Sequence, residues 1–158
     1  MTDIAKRPSS FPWPPLIYVT AIAISIVMWI LYPLPWFGSP LSDIFFAVGW
    51  IVVVAVVAID VSAMRTLRRA NTTIMPNKAS EHLVTTGAFS FTRNPIYLAN
   101  TLLMVGVAMI SGIAWFIVLA VIAAFITQKL AIEREEKHLE ARFGKKYFDY
   151  KKRVRRWV

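Results

Sequence analysis

The sequence predicts an all-α integral membrane protein. It should have about four transmembrane helices, the last two a short hairpin, and a cytoplasmic C-terminal helical extension. Three observations lead there. Hydrophobic residues fill 57% of the 158 positions and charged residues only 17%, against ~45–50% and ~25% in a soluble domain. No Lys or Arg occurs from Pro8 to Met64 or from Asn94 to Gln128. Both stretches are long enough for spans of ~20 apolar residues, each crossing ~30 Å of hydrocarbon.

The elements follow in order. Leu16–Tyr32 is the first span (16–32). Pro14 and Pro15 suit its first turn, where a missing N–H costs nothing. Three prolines and a glycine between Pro33 and Pro40 then break the helix. That proline-aromatic turn falls where a small-residue cleavage site would stand, so span one reads as retained rather than as a cleaved leader. Ser42 can cap a second span running to about Met64 (42–64), with Asp43 in its first turn. The second apolar block, Ile96–Ile132, is too long for one span. It reads as a hairpin of 96–110 and 113–132 turning at Ser111-Gly112; a single kinked span is the rival.

Charge distribution decides between them. With four spans, all 18 basic residues fall on one side: Lys6 and Arg7, Arg65 to Arg93 in the middle loop 65–95, and Lys129 to Arg156 at the C-terminal end, from the last turn of span four through the segment 133–158. This is the positive-inside pattern, with both termini cytoplasmic. Three spans would force the basic C-terminus outside. The whole chain, 1–158, is one membrane domain.

Several function classes fall away. There is no cysteine, which removes disulfides, thiolate chemistry and Cys metal sites. His82 and His138 are too few for a zinc site without two carboxylates, so no metal is expected. Apolar residues come in blocks rather than interleaved with Lys and Arg, so nucleic acid is not an expected partner. No Gly-x-Gly-x-x-Gly and no phosphate loop is present.

Two polar segments are not needed for spanning. The first begins with Arg65, Arg68 and Arg69, which suit anionic head groups. It ends in Arg93-Asn94-Pro95-Ile96-Tyr97. Pro95 fits the first turn of span three, whose free N–H groups and dipole would face the cytoplasm beside Arg93. That is either a pocket for an anion or an arginine snorkelling before a span. In the second segment, span four continues through Lys129–Leu139 as one helix. Glu133 and Lys137, and Arg134 and His138, are spaced as a solvated helix face. Glu135 and Glu136 point ~100° apart, so one can turn back over the mouth of the bundle. Phe143-Gly144 is the stop. Tyr147, Tyr150, Val154 and Trp157 then recur at helical spacing opposite Lys and Arg, as in a helix lying among head groups or covering a site. Asp60 sits inside span two, a functional candidate by default, with Arg65 near enough to pair.

Taken together, Leu83-Val84-Thr85-Thr86-Gly87-Ala88-Phe89, Arg93-Asn94-Pro95-Ile96-Tyr97, Glu135-Glu136-Lys137-His138-Leu139 and Phe143-Gly144 with Tyr147 and Tyr150 closely resemble the isoprenylcysteine carboxyl methyltransferase family and its phospholipid methyltransferase relatives. The family pattern is Leu-Val-x-x-Gly-x-Tyr, Arg-His-Pro-x-Tyr-x-Gly, Glu-Glu-x-x-Leu, then Phe-Gly-x-x-Tyr-x-x-Tyr. The resemblance covers Glu81 to Arg156. It implies an integral-membrane methyltransferase that uses S-adenosylmethionine, bound at the cytoplasmic face under the C-terminal segment. The acceptor it implies is lipophilic and dissolved in the membrane: a carboxylate, thiol or amine.

By motif, the resemblance makes Arg93, Asn94 and Glu136 the catalytic candidates. It assigns cofactor contact to His82, Leu83, Val84, Gly87, Asn94, Pro95, Tyr97, Glu135, Glu136 and Tyr147. A Glu suits the cofactor's ammonium, an Arg or helix N-terminus its carboxylate, and Tyr147 its adenine. Arg93 is equally suited to an anionic acceptor. The chain departs from the pattern at Asn94 (for His), Ala99 (for Gly) and Phe89 (for Tyr). Losing the His removes a proton acceptor that an amine substrate would use. Two other classes stay open: a non-catalytic membrane adaptor or lipid-binding protein, and a sterol-reductase-like NADPH enzyme.

Overall fold

The computed structural model describes residues 13–70 and 82–158. Lys6, Arg7, Lys78 and Glu81 lie outside the described residues. Six helices account for most of the rest: α1 (Trp13–Leu31), α2 (Leu41–Arg69), α3 (Pro95–Ser111), α4 (Trp115–Thr127), α5 (Glu133–Phe143) and α6 (Lys145–Arg153). A 3₁₀ turn covers Gly87–Ser90, and a π turn, Gln128–Ile132, joins α4 to α5 without a break. No strand occurs among the described residues.

Three helical stretches are long and apolar enough to cross a membrane: α1, α2 and the continuous run Trp115–Phe143. The 17-residue α3 is apolar but shorter, ~26 Å at ~1.5 Å per residue. The hairpin reading of the second apolar block is what forms, not a single kinked span. Gly112 turns it in the left-handed conformation (φ 72°, ψ 18°), its N–H bonded to Ala108 O at 2.8 Å. This is the conformation glycine adopts without a Cβ penalty after a helix end.

The four apolar helices stand in a row, α2–α3–α4–α1. α2 runs along α3, α3 along α4, and α4 along α1. The order is set by small residues that let backbones approach. Between α2 and α3, a Cβ on Gly49 would stand 2.9 Å from Gly106 O. Between α1, α3 and α4 the core is Tyr18, Ala21, Met104, Ala108, Phe116, Leu119, Ala120 and Ala123. Outward faces carry Val19, Ile30, Ile51, Val54, Val121 and Phe125, each more than half exposed, the surface a lipid environment covers.

Four local expectations are corrected. α2 continues to Arg69 rather than stopping near Met64. Ser42 does not cap it: Pro40 is the N-cap, and Ser39 donates to Asp43 Oδ2 at 2.7 Å. Asp60 makes no ion pair with Arg65 or any other described residue, and its Oδ1 is buried without a hydrogen bond. Finally, the C-terminal helix ends at Arg153, and Val154 is extended (φ −119°, ψ 128°). Val154 and Trp157 therefore do not share a helical stripe with Tyr147 and Tyr150.

Candidate functional site

All described Lys and Arg gather at one end of the row, where α2 ends, α3 begins and the long helix emerges. The candidate site is built there from the start of α3, from α5 and from the chain after α6.

α3 starts as the proline requires. Asn94 is the N-cap and Pro95 the first helical residue. The Asn94 side chain does not cap its own helix. Its Nδ2 donates to Arg156 O at 2.9 Å instead. Thr92 Oγ1 donates to the same carbonyl at 3.1 Å, and the Arg93 N–H donates to Arg155 O at 3.0 Å. The non-helical segment after α6 is thereby strapped across the N-terminus of α3.

The π turn sets which face of α5 looks inward. The buried stripe of the long helix runs Phe116, Ala120, Ala123, Thr127, Ala131, Glu136. Its steps are three or four residues up to the π turn, where two neighbours, Ala131 and Ile132, are both buried. The residue inserted in an i→i+5 turn shifts the stripe by one position, and Glu136 lies four residues beyond Ile132. Glu136 is thus carried onto the buried face, 6% exposed. Both its oxygens are engaged by Arg156, Nε to Oε1 at 2.9 Å and Nη2 to Oε2 at 2.7 Å. Arg93 Nη2 approaches Oε1 at 3.2 Å. The bond to Glu136 holds the Arg156 guanidinium above its usual pKa.

The Arg93 side chain is 8% exposed. Its Nε and Nη1 are buried and have no hydrogen-bond partner among the described residues. Two orphaned donors on a buried cation are costly unless a ligand satisfies them.

Glu135 turns inward too, onto a different element. Tyr97 OH donates to its Oε1 at 2.6 Å. No Lys or Arg among the described residues pairs with it, in contrast to its neighbour. Tyr97 is held from below: Tyr18 OH and Thr101 Oγ1 lie 2.7 Å apart, and each donates to Tyr97 O.

Gly144 closes α5 with φ 50° and ψ −124°, a region essentially confined to glycine. The reversal swings α6 under the cluster. Tyr147 is 1% exposed and Tyr150 3%, packed edge to face at 6.2 Å between centroids. Tyr150 OH donates to Phe89 O at 2.6 Å. Burial pushes the Tyr147 hydroxyl up to about 12; Glu136 adds to this and Arg93 opposes it. Burial also raises Tyr150. These tyrosines face the protein, not head groups.

The expected site residues thus divide into two groups. Arg93, Asn94, Pro95, Tyr97, Glu135, Glu136 and Tyr147 come together. Leu83, Val84 and Gly87 instead line a cavity of about 480 Å³ with Thr66, Arg69, Ala70, Thr85 and Thr86, linked to the first group through Phe89 and Tyr150. His82 is exposed and does not line it. The sequence reading missed Arg156, Thr92 and Gln128, the last of which accepts from Trp157 Nε1 at 2.9 Å. Arg156 is one of several cations in Lys151–Arg156, and nothing in that run marks it out.

A profile of the phospholipid methyltransferase family matches residues 45–146, well over half the chain. The chain belongs to the phospholipid methyltransferase family. This is a family of integral-membrane methyltransferases related to the isoprenylcysteine carboxyl methyltransferases. No curated protein and no solved structure matched. The matched segment runs from Phe45, within α2, to Lys146 at the start of α6 and so contains Arg93, Asn94, Tyr97, Glu135 and Glu136. The strap after α6, with Arg156, lies beyond it.

Proposed function

We propose that this phospholipid methyltransferase family member moves the methyl group of S-adenosylmethionine onto a lipophilic acceptor that reaches the site from the membrane. In this reading the cofactor binds at the basic end of the helix row, the end that the positive-inside rule assigns to the cytoplasmic face. The observation that carries this reading is the pair of buried, unpartnered Arg93 donors, together with Glu135, the chain neighbour of Arg93's partner Glu136, whose one hydrogen bond among the described residues comes from Tyr97. An amino-acid end has both charges: a carboxylate for Arg93 and an ammonium for Glu135.

The fit is chemical as well as geometric. The first-turn N–H groups of α3 add a positive dipole end beside Arg93. Thr85, Thr86 and the backbone of Leu83–Gly87 give the neighbouring cavity hydroxyl and amide groups for a ribose or base. Tyr147 is buried within electrostatic reach of Arg93. When bound, the cofactor supplies a sulfonium methyl open to in-line displacement. The protein's own contribution is positioning and exclusion of water. Asn94 is committed to the strap and holds no titratable proton, so a carboxylate or thiolate acceptor asks least of this site.

Calorimetry in detergent with S-adenosylhomocysteine tests the reading. The folded wild type should bind at one site, and Glu135→Gln should weaken binding about tenfold or more, from the loss of one charge-assisted hydrogen bond. No binding by folded wild type would overturn it.

A further inference from the structure

The three residues expected to be catalytic all spend polar groups on the chain's last residues. Arg93 gives its backbone N–H to Arg155 O, Asn94 its side-chain amide to Arg156 O, and Glu136 both carboxylate oxygens to the Arg156 guanidinium. Of these, the Glu136 contact has a consequence for charge. Without it, a buried carboxylate would lie 3.2 Å from Arg93 with no other cation on it. Arg93 would then swing its remaining donors onto Glu136, since a two-pronged pair is the geometry a guanidinium and a carboxylate adopt when free to do so. In the structure Arg156 takes that two-pronged position itself, and Arg93 is left with one donor on Glu136 and two unspent.

We propose that Arg156 is a positioning residue: by saturating Glu136 from the C-terminal strap, it keeps Arg93 Nε and Nη1 available for the anionic group of the ligand. This rests on the proposed cofactor reading, in which that anion is the amino-acid carboxylate. The strap is a clamp that readies the receptor, not a plug that must leave before ligand enters. Trp157, anchored on Gln128 at the π turn, fixes the strap from the far side.

The test compares two ligands on the full-length protein in detergent: S-adenosylhomocysteine and its decarboxylated analogue. Wild type should prefer the carboxylate-bearing ligand about tenfold or more. R156Q should bind both nearly alike, because Arg93 has turned to Glu136, and R156K, which keeps a charge without the fork, should fall between. W157F removes a different anchor of the strap, the bond to Gln128, and should keep the wild-type preference. R156K serves in place of R156Q should the latter fail to fold. An undiminished preference in R156Q, or tighter binding of both ligands, overturns the clamp while leaving the cofactor reading intact. Equal loss of preference in W157F shows a merely structural strap and overturns it too. Absence of any preference in wild type removes the Arg93–carboxylate contact, and the clamp with it.

Discussion

Glu136 and Arg93 form a pair, yet their removal should have opposite signatures. In Glu136→Ala, two guanidiniums lose the charge between them, and Arg93 is the more deeply buried of the two. Stranding a buried charge typically costs ~3–5 kcal/mol. Arg156 keeps 30% of its side-chain surface and can turn to water, so the lower end applies, about 3 kcal/mol. At ~2–4 °C per kcal/mol for a chain of this size, the melting temperature should fall by about 6–12 °C. In Arg93→Ala, Glu136 keeps both bonds from Arg156, so the loss should be about 1 kcal/mol, or ~2–4 °C. Ligand binding should reverse the ranking. Arg93→Ala removes two charge-assisted donors, each worth ~1.5–3 kcal/mol, and so should weaken S-adenosylhomocysteine by about 100-fold or more. Tryptophan-fluorescence melts and calorimetry on the two purified variants measure both quantities. A Glu136→Ala protein melting within ~2 °C of wild type, or an Arg93→Ala protein binding unchanged, would refute the reasoning.

Three further outcomes are expected. Gly144→Ala places a Cβ on a backbone conformation at φ 50° and ψ −124°, costing ~1–3 kcal/mol, so the melting temperature should drop by several degrees. Asp60→Leu removes a buried unpaired oxygen from an apolar helix, and should raise the melting temperature by a few degrees, a gain of about 1 kcal/mol; a fall would reveal a partner for Asp60. Tyr147 ionises in the fold only at about 12, above its unfolded value near 10. Its contribution to stability is therefore complete below pH 10 and lost between pH 10 and 12, and Tyr147→Phe should flatten the stability profile across that window.

Backbone punctuation made much of the fold legible. The prolines of the first loop, Pro95 at the start of α3, Gly112 at the hairpin and Gly144 at the helix reversal act locally, through φ restrictions that need no tertiary knowledge. The charge-free stretches located the apolar helices for the same reason. The row order α2–α3–α4–α1 was not legible, because hydropathy marks a span without naming its neighbours. The extra residue at Gln128–Ile132 was hidden too, since an apolar run does not declare an i→i+5 turn.

The site divides along the same line. Arg93, Tyr97, Glu135 and Glu136 stood out by type and spacing. Their partners did not, because the ties are non-local. Glu136 meets Arg156 across 20 residues of sequence and Tyr97 meets Glu135 across 38. The charged face of α5 read as i,i+4 pairs between Glu133 and Lys137, but Glu133 takes Lys129 one turn earlier. Helical periodicity carried on past Arg153, whereas contacts to Glu136, Thr92 and Gln128 hold the chain after Arg153 out of the helix. There tertiary bonds outweigh a helix propensity that β-branched Val154 already weakens.

An experimental structure with bound S-adenosylhomocysteine tests the central claim most directly. The account predicts the ligand carboxylate at about 2.7–2.9 Å from Arg93 Nε or Nη1, and its ammonium at the same range from Glu135, with Arg156 still forked on Glu136. An amino-acid end seated elsewhere, with Arg93 turned wholly onto Glu136, would contradict it.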